Sequence, residues 1–205
     1  MPLPPDLDAR IAAAAEVLRR GGIVAYPTET FYGLGALARD AAALARLASA
    51  KLRPEGKPLP LLAADAAQVA EVARLDGLAA RLAARFWPGP LTLVLPASPA
   101  LDAAITAGGA TVAIRVPGSE IARELARRAG GALVSTSANL SGDPPPVLAA
   151  ELSAGLAARI DHVLDGGRTP GGQPSTIVEV AGGAVRLVRE GVIPLDEVLA
   201  ACAAA

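Results

Sequence analysis

Cations gather at one point of this sequence. Lys51 and Arg53 stand two residues apart, so in an extended segment both side chains project to one side, and Lys57 follows after a Pro-Glu-Gly turn. Arginine offers a rigid fork of donors and lysine a point charge, so such a loop suits a polyphosphate held by charge-assisted bonds. A solvated basic turn behind a helix is the plainer alternative. A second group, Ser135, Thr136, Ser137 and Asn139, follows a strand end, where open α/β sheets place their ligands. Hydroxyls and an amide there suit both an amino acid and a phosphate, or simply cap a turn. Thr28-Glu29-Thr30 lies at another strand end beside Tyr32 and Gly33, and Ser175-Thr176 opens a strand after the glycine-rich segment 166–174. Arg115 and Arg189 close apolar strands, where a cation is less expected than on a helix surface. Each of these has an ordinary structural reading, and none is specific alone.

Several familiar chemistries are excluded. Gly33-Leu34-Gly35 imitates a dinucleotide fingerprint, but its glycines lie too far beyond the strand and no acid stands about 20 residues on. There is no Gly-Lys-Ser/Thr phosphate loop, and no histidine near a candidate serine nucleophile. One cysteine, Cys202, makes no internal disulfide, and the single histidine, His162, joins no cysteine cluster that would hold zinc. His162, Cys202 and Trp87 therefore read as structural, and no metal ligands are expected from protein side chains.

The elements that position these groups follow from periodicity and punctuation. Asp6 or Asp8 is expected to cap a helix with Leu7, Ile11, Ala14 and Leu18 on one face, ended by Gly21-Gly22. A strand at 23–26 runs into an aperiodic loop over 27–35. Asp40 caps a helix through about Ala50, which prolines and basic residues then break. A strand at 59–63, helices at 65–73 and 76–86, and strands at 91–95 and 111–116 follow. Ser119 caps a helix leading to Gly130-Gly131, followed by a strand at 132–134, a helix over about 148–159, strands at 162–164, 175–180 and 184–188, and a terminal helix from Asp196. Strands that alternate with helices early and cluster late predict an α/β fold with a twisted sheet of mixed parallel and antiparallel strands covered by helices; a parallel doubly wound sheet is the second choice.

Composition sets the bounds. The 205 residues, 52% hydrophobic, suffice for a real core and suit one domain over 1–205. The formal charge of -1 supplies no global positive field for binding a phosphate backbone, and 2% aromatic content leaves few rings for stacking on single strands, so any RNA contact is weak or local. The start lacks the basic and apolar runs of a signal peptide, and no apolar stretch approaches the roughly 20 residues of a membrane span, so a cytoplasmic location and no membrane partner are expected.

Taken together, segment 22–35, Lys51-Leu52-Arg53-Pro54 and Ser135-Thr136-Ser137-Ala138-Asn139 resemble the YrdC/TsaC family of threonylcarbamoyl-AMP synthases in residues, order and spacing. The resemblance runs from about Leu7 to Leu199 and includes Trp87-Pro88-Gly89-Pro90-Leu91-Thr92 and segment 174–178. It implies a concave basic cavity on one side of the sheet, and condensation of L-threonine, bicarbonate and ATP, with Mg2+ accompanying the ATP. Thr30, Arg115, Ser135 and Ser175 resemble residues that contact threonine. Arg53, Lys57, Thr111, Ser137, Asn139, Pro145 and Arg189 resemble residues around ATP. Lys51 and Arg53, the family's Lys-x-Arg motif, are the expected catalytic cations, and no general base is assigned. The family also implies a role in tRNA modification, with transient handover of the product to a tRNA threonylcarbamoyltransferase complex.

The sequence departs from the family in places. Leu61-Leu62 stands where some relatives carry a polar residue near threonine, and Glu190 replaces a proline common after the strand-end arginine. A chain of this length is expected to lack the additional C-terminal domain of longer members. Two rival readings stay open: an RNA-binding protein using the same cavity, and a carbamoyl-adenylate-forming domain like part of the hydrogenase maturation proteins.

Overall fold

The structure, a computed structural model, describes residues 4–51 and 56–203. Its elements run α1 (Pro5–Arg19), β1 (Val24–Pro27), β2 (Tyr32–Gly35), α2 (Ala41–Ala50), β3 (Leu61–Leu62), α3 (Ala66–Val72), α4 (Gly77–Phe86), β4 (Leu91–Pro96), α5 (Ala103–Thr106), β5 (Thr111–Arg115), α6 (Glu120–Ala129), β6 (Leu133–Val134) and β7 (Thr136–Ser137). A 3-10 turn (Ala149–Glu151), α7 (Ala154–Ala157), β8 (His162–Val163), β9 (Thr176–Ala181), β10 (Ala184–Arg189) and α8 (Leu195–Ala203) complete it.

The strands form a four-stranded sheet, β7-β2-β1-β8, and a six-stranded sheet, β10-β9-β4-β5-β3-β6. Parallel pairs (β1 with β8, β3 with β5, β4 with β9) alternate with antiparallel ones, so the fold is the mixed α/β arrangement and not the doubly wound parallel sheet. The two sheets meet at β6. Leu133 bridges Leu37, the Val134 amide donates to the Ala36 carbonyl at 2.9 Å, and the Ser135 amide donates to the Pro60 carbonyl at 2.8 Å. Ser135 thus emerges at the seam between them.

Helices cover both apolar surfaces. Ala122, Leu125, Ala126 and Ala129 recur at helical spacing along α6 and pack with Ile11, Ala14, Ala15 and Leu18 of α1 over Val24, Tyr26 and Leu62. On the other side, Leu44 and Leu47 of α2, Leu82 and Phe86 of α4, and Val198 of α8 share a core with Leu91, Leu93, Ile114 and Val178. The predicted caps at Asp40 and Ser119 form, with side chains accepting from the Ala43 amide at 2.9 Å and the Ala122 amide at 3.3 Å. Asp6 and Asp8 do not cap α1. Its cap position is Pro4, and both acids lie in the first turn, where negative charge suits the helix dipole.

Two further expectations are corrected. Segment 27–35 is not all loop, because β2 pairs antiparallel with β1 from Pro27↔Tyr32 to Val24↔Gly35. Its glycines hid it: a Cβ on Gly35 would stand 2.7 Å from Cε1 of Tyr26 and 2.9 Å from the Val134 carbonyl oxygen, so glycine lets the buried Tyr26 ring lie across β2. The single helix over about 148–159 is instead a 3-10 turn and the short α7. The Glu151 carboxylate accepts from the Val147 and Leu148 amides at 2.7 and 3.2 Å, and Ser153 restarts the chain by accepting from the Leu156 amide at 3.3 Å. The strand β7 and helix α5 were not expected at all. Gly35→Ala is predicted to destabilise the protein by about 1–3 kcal/mol through overpacking against Tyr26, seen as a lower urea midpoint.

Candidate functional site

The exposed face of the six-stranded sheet forms the floor of a cavity of about 1070 Å3. Register places its side chains in rows. Val94 of β4 stands opposite Ala113 of β5 and Glu179 of β9, and Glu179 opposite Arg186 of β10. One row along, Thr92 is opposite Ile177, and Ile177 opposite Arg189, where β10 carries a bulge. Arg115 ends β5 two residues from Ala113, on the same face. The cavity is therefore apolar along its middle, with guanidinium groups from β5 and β10 toward its margins.

The β1–β2 turn and the β6–β7 segment make the walls. Thr28 donates its hydroxyl to the Phe31 carbonyl at 2.8 Å and receives the Thr30 amide at 3.2 Å, so the 3.1 Å contact between the two hydroxyls is donated by Thr30. Thr28 and Thr30 both line the cavity. Ser135 faces Gly33, where an added Cβ would stand 3.6 Å from its Oγ. Ser175 shares a 2.9 Å hydrogen bond with the buried Thr92 hydroxyl, and Arg189 donates through Nη2 to Ser175 Oγ at 3.0 Å and to the Ser175 carbonyl at 2.7 Å. A Cβ on Gly191 would stand 2.2 Å from the Pro174 carbonyl oxygen, so that close approach of chains, which sets Arg189 against Ser175, requires glycine.

The mouth is framed by two loops tied to β2. Tyr32 donates its hydroxyl to the Gly167 carbonyl at 2.7 Å and accepts from the Gly166 amide at 3.3 Å, while the Gly171 amide donates to the Thr30 carbonyl at 2.7 Å. The Tyr32 amide donates to the Pro146 carbonyl at 2.9 Å, beside the lining residues Pro144 and Pro145. Burial pushes both the Tyr26 and Tyr32 phenols up to about 12. Both stay protonated at physiological pH and neither serves as a base.

The electrostatics favour an anion. Arg115 is 7% exposed and pairs with Glu29 at 3.3 Å. Arg189 has no acid partner among the described residues, and its pKa is driven down by burial first and by the positive charge of Arg115 second. Much of Arg189 is still open to solvent, because the groups that crowd it surround a hollow. An arginine does not release its proton in this setting, so the neighbouring positive charges make this hollow a favourable place for a negative charge.

Of the expected site residues, Thr30, Thr111, Arg115, Ser135, Ser137, Pro145, Ser175 and Arg189 line this one cavity. Three do not. Lys51 is buried behind the β7 loop, where its ammonium donates to the Ser137 carbonyl and, at 2.8 Å, to the Asn139 carbonyl. Asn139 turns its amide into its own loop, donating to the Leu140 and Asp143 carbonyls at 3.0 and 2.6 Å. Lys57 is exposed one residue before the lining residue Pro58. Arg53 lies outside the described residues. Sequence reading gave no role to Thr92, to Glu29 within the noted Thr28-Glu29-Thr30 segment, or to the Glu179–Arg186 pair, whose guanidinium and carboxylate meet at 2.5 Å on the cavity wall. Alternation along β4 and β9 is the signal that could have found Thr92 and Glu179. Arg189→Gln is expected to weaken binding of inorganic pyrophosphate about tenfold or more, the loss of a charged hydrogen bond of about 1.5–3 kcal/mol, by calorimetric titration.

The Sua5/YciO/YrdC family model, described as telomere recombination, matches residues 16–191. The threonylcarbamoyl-AMP synthase of Pyrococcus abyssi is 42% identical over 190 residues, covering 92% of this chain and 56% of the relative, so the chain spans little more than half that protein's length. The threonylcarbamoyl-AMP synthase of Halorhodospira halophila is 44% identical over 158 residues, covering 77% of this chain and 83% of the relative. Among solved structures, P. abyssi Sua5 complexed with L-threonine superposes with a TM-score of 0.88 at 41% identity, over 93% of this chain and 56% of that one. A matched span of this extent and relatives at this identity establish the family: the chain belongs to the Sua5/YciO/YrdC family.

Proposed function

We propose that this protein is a nucleotidyltransferase that forms threonylcarbamoyl-AMP and pyrophosphate from L-threonine, bicarbonate and ATP. The observation that carries the reading is the convergence of Arg115, Arg189 and the hydroxyls of Thr30, Ser135 and Ser175 in one cavity, in a chain similar to threonylcarbamoyl-AMP synthases. A volume of about 1070 Å3 lies at the upper end for a single small ligand, which suits a nucleotide and an amino acid together.

In this reading Arg115 takes the threonine carboxylate, and the oxygens of Thr30, Ser135 and Ser175 surround the rest of the amino acid. Arg189, Thr111, Ser137 and Pro145 line the nucleotide's part of the cavity, and Arg53, Lys57 and the loop of Asn139 complete its surroundings. The threonine amine adds to bicarbonate to give a carbamate with loss of water. A carbamate oxygen then attacks the α-phosphorus of ATP, and the bond to the β-phosphate bridging oxygen breaks to release pyrophosphate. A free α-amine has a pKa of about 7.7–8.0, so a neutral fraction is present without a dedicated base. Catalysis then rests on holding two anions beside a polyanion in register, with guanidinium groups offsetting the repulsion. Lys51, bonded to the Ser137 and Asn139 carbonyls, supports the loop that presents Ser137.

Magnesium enters as part of the substrate MgATP. The carboxylates nearest the cavity, Glu29 and Glu179, are each paired with an arginine, at 3.3 and 2.5 Å, so the ion is held largely by phosphate oxygens and water. The product would pass to a tRNA threonylcarbamoyltransferase complex, which places the chain in tRNA modification.

The test is pyrophosphate release by purified protein with MgATP, threonine and bicarbonate. Release is expected to require threonine; release unchanged by its omission, or salt-sensitive RNA binding without turnover, contradicts the reading. Arg53→Ala is expected to remove most turnover while leaving the circular dichroism spectrum intact, and full activity would take Arg53 out of the site.

A further inference from the structure

Glu29 is a partly buried acid beside the cavity that the proposed chemistry leaves unused. It sits between Thr28 and Thr30, which both line the cavity, but points the other way, behind Arg115. Its side chain is 16% exposed and that of Arg115 is 9% exposed. Oε1 lies 3.3 Å from Nη1 of Arg115, makes no hydrogen bond, and is fully enclosed. Oε2 accepts, at 3.5 Å, from the Ser119 amide at the start of the ten-residue helix α6. The stem packs under Gly118, where a Cβ would stand 3.4 Å from Cγ of Glu29. The carboxylate is thus fixed from three directions by parts of the chain some 90 residues away from it.

We propose that Glu29 is a positioning residue for amino acid binding: it holds one edge of the Arg115 guanidinium so that the remaining donors face the cavity. The assignment rests on the reading of Arg115 as the group that takes the substrate carboxylate. A guanidinium has five donors in a rigid planar fork, so charge attraction at its Nη1 end biases the orientation of the whole group. The long ion pair with no hydrogen bond matters here. It supplies opposite charge to a buried cation while leaving Arg115's donors uncommitted, so an incoming carboxylate meets an oriented partner and displaces nothing. Glu29 also limits the positive charge of the pair formed by Arg115 and Arg189 to one uncompensated cation in the resting protein. Because Glu29 does not line the cavity, it takes no proton from substrate.

The test compares the unaltered protein with Glu29→Gln, which keeps shape and loses charge, and Glu29→Asp, which keeps charge on a shorter stem. L-threonine binding is measured by calorimetry, and the KM values for threonine and ATP by pyrophosphate release, with thermal melts alongside. Glu29→Gln is expected to weaken threonine binding and raise its KM at least tenfold while the KM for ATP stays within twofold; Glu29→Asp is expected to recover part of the loss, and decides alone if the Gln variant does not fold. Unchanged threonine binding in a folded variant, or equal rises in both KM values, overturns the assignment. An unaltered protein that binds no threonine overturns both this assignment and the proposed function, whereas one that binds threonine and shows no effect of Glu29→Gln overturns the positioning role alone.

Discussion

Arg115 and Arg189, two guanidinium groups reaching one hollow with the Glu29 carboxylate behind the first, set the terms for this site. A buried cation is costly unless its charge is answered. Arg115 is answered by Glu29, whose second carboxylate oxygen accepts from the Ser119 amide, and the more exposed Arg189 by the Ser175 carbonyl and hydroxyl. That leaves Arg189 without an acid partner among the described residues, a charge that suits an anionic ligand in the cavity. Much of the surrounding architecture reads as a means of keeping these groups from relaxing into solvent.

The sheet does most of this work. Because β4 lies between β5 and β9, the two arginines reach the cavity from strands on either side of the apolar residues Val94 and Ile177. The bulge in β10 and the absence of a side chain at Gly191 bring Arg189 onto Ser175. The β1–β2 turn then closes one wall with hydroxyls already satisfied among themselves, and Tyr32 ties that wall to the loops at the mouth. Tyr32, its phenol pushed up to about 12 by burial and bonded to the Gly167 carbonyl, is a tether.

What the sequence made legible was local. The helices α2 and α6 were readable because Asp40 and Ser119 cap them through their own side chains, and β4, β5 and β9 because they are short apolar runs between prolines, glycines and polar residues. Strand β2 was not readable, since its two glycines carry no strand preference and its existence depends on the Tyr26 ring that lies over it. Leu148, Leu152 and Leu156 imitated one helix, but Glu151 and Ser153 bond the backbone on either side of Leu152 and divide it. The site residues were individually ordinary. Their common cavity became an expectation only through family resemblance, and Glu29 stayed hidden because its partners, Arg115 and Ser119, are remote in the chain. The resemblance likewise put Lys51 at the reacting centre, whereas its ammonium is directed to the back of the β7 loop.

The most direct test of this account is a crystal structure of the protein with L-threonine and a non-hydrolysable ATP analogue bound together. The account predicts the threonine carboxylate on Arg115 and the triphosphate on Arg189, each at hydrogen-bond distances of about 2.7–3.2 Å, within the same cavity. Ligands bound elsewhere, or Arg115 and Arg189 engaging neither of them, would contradict it.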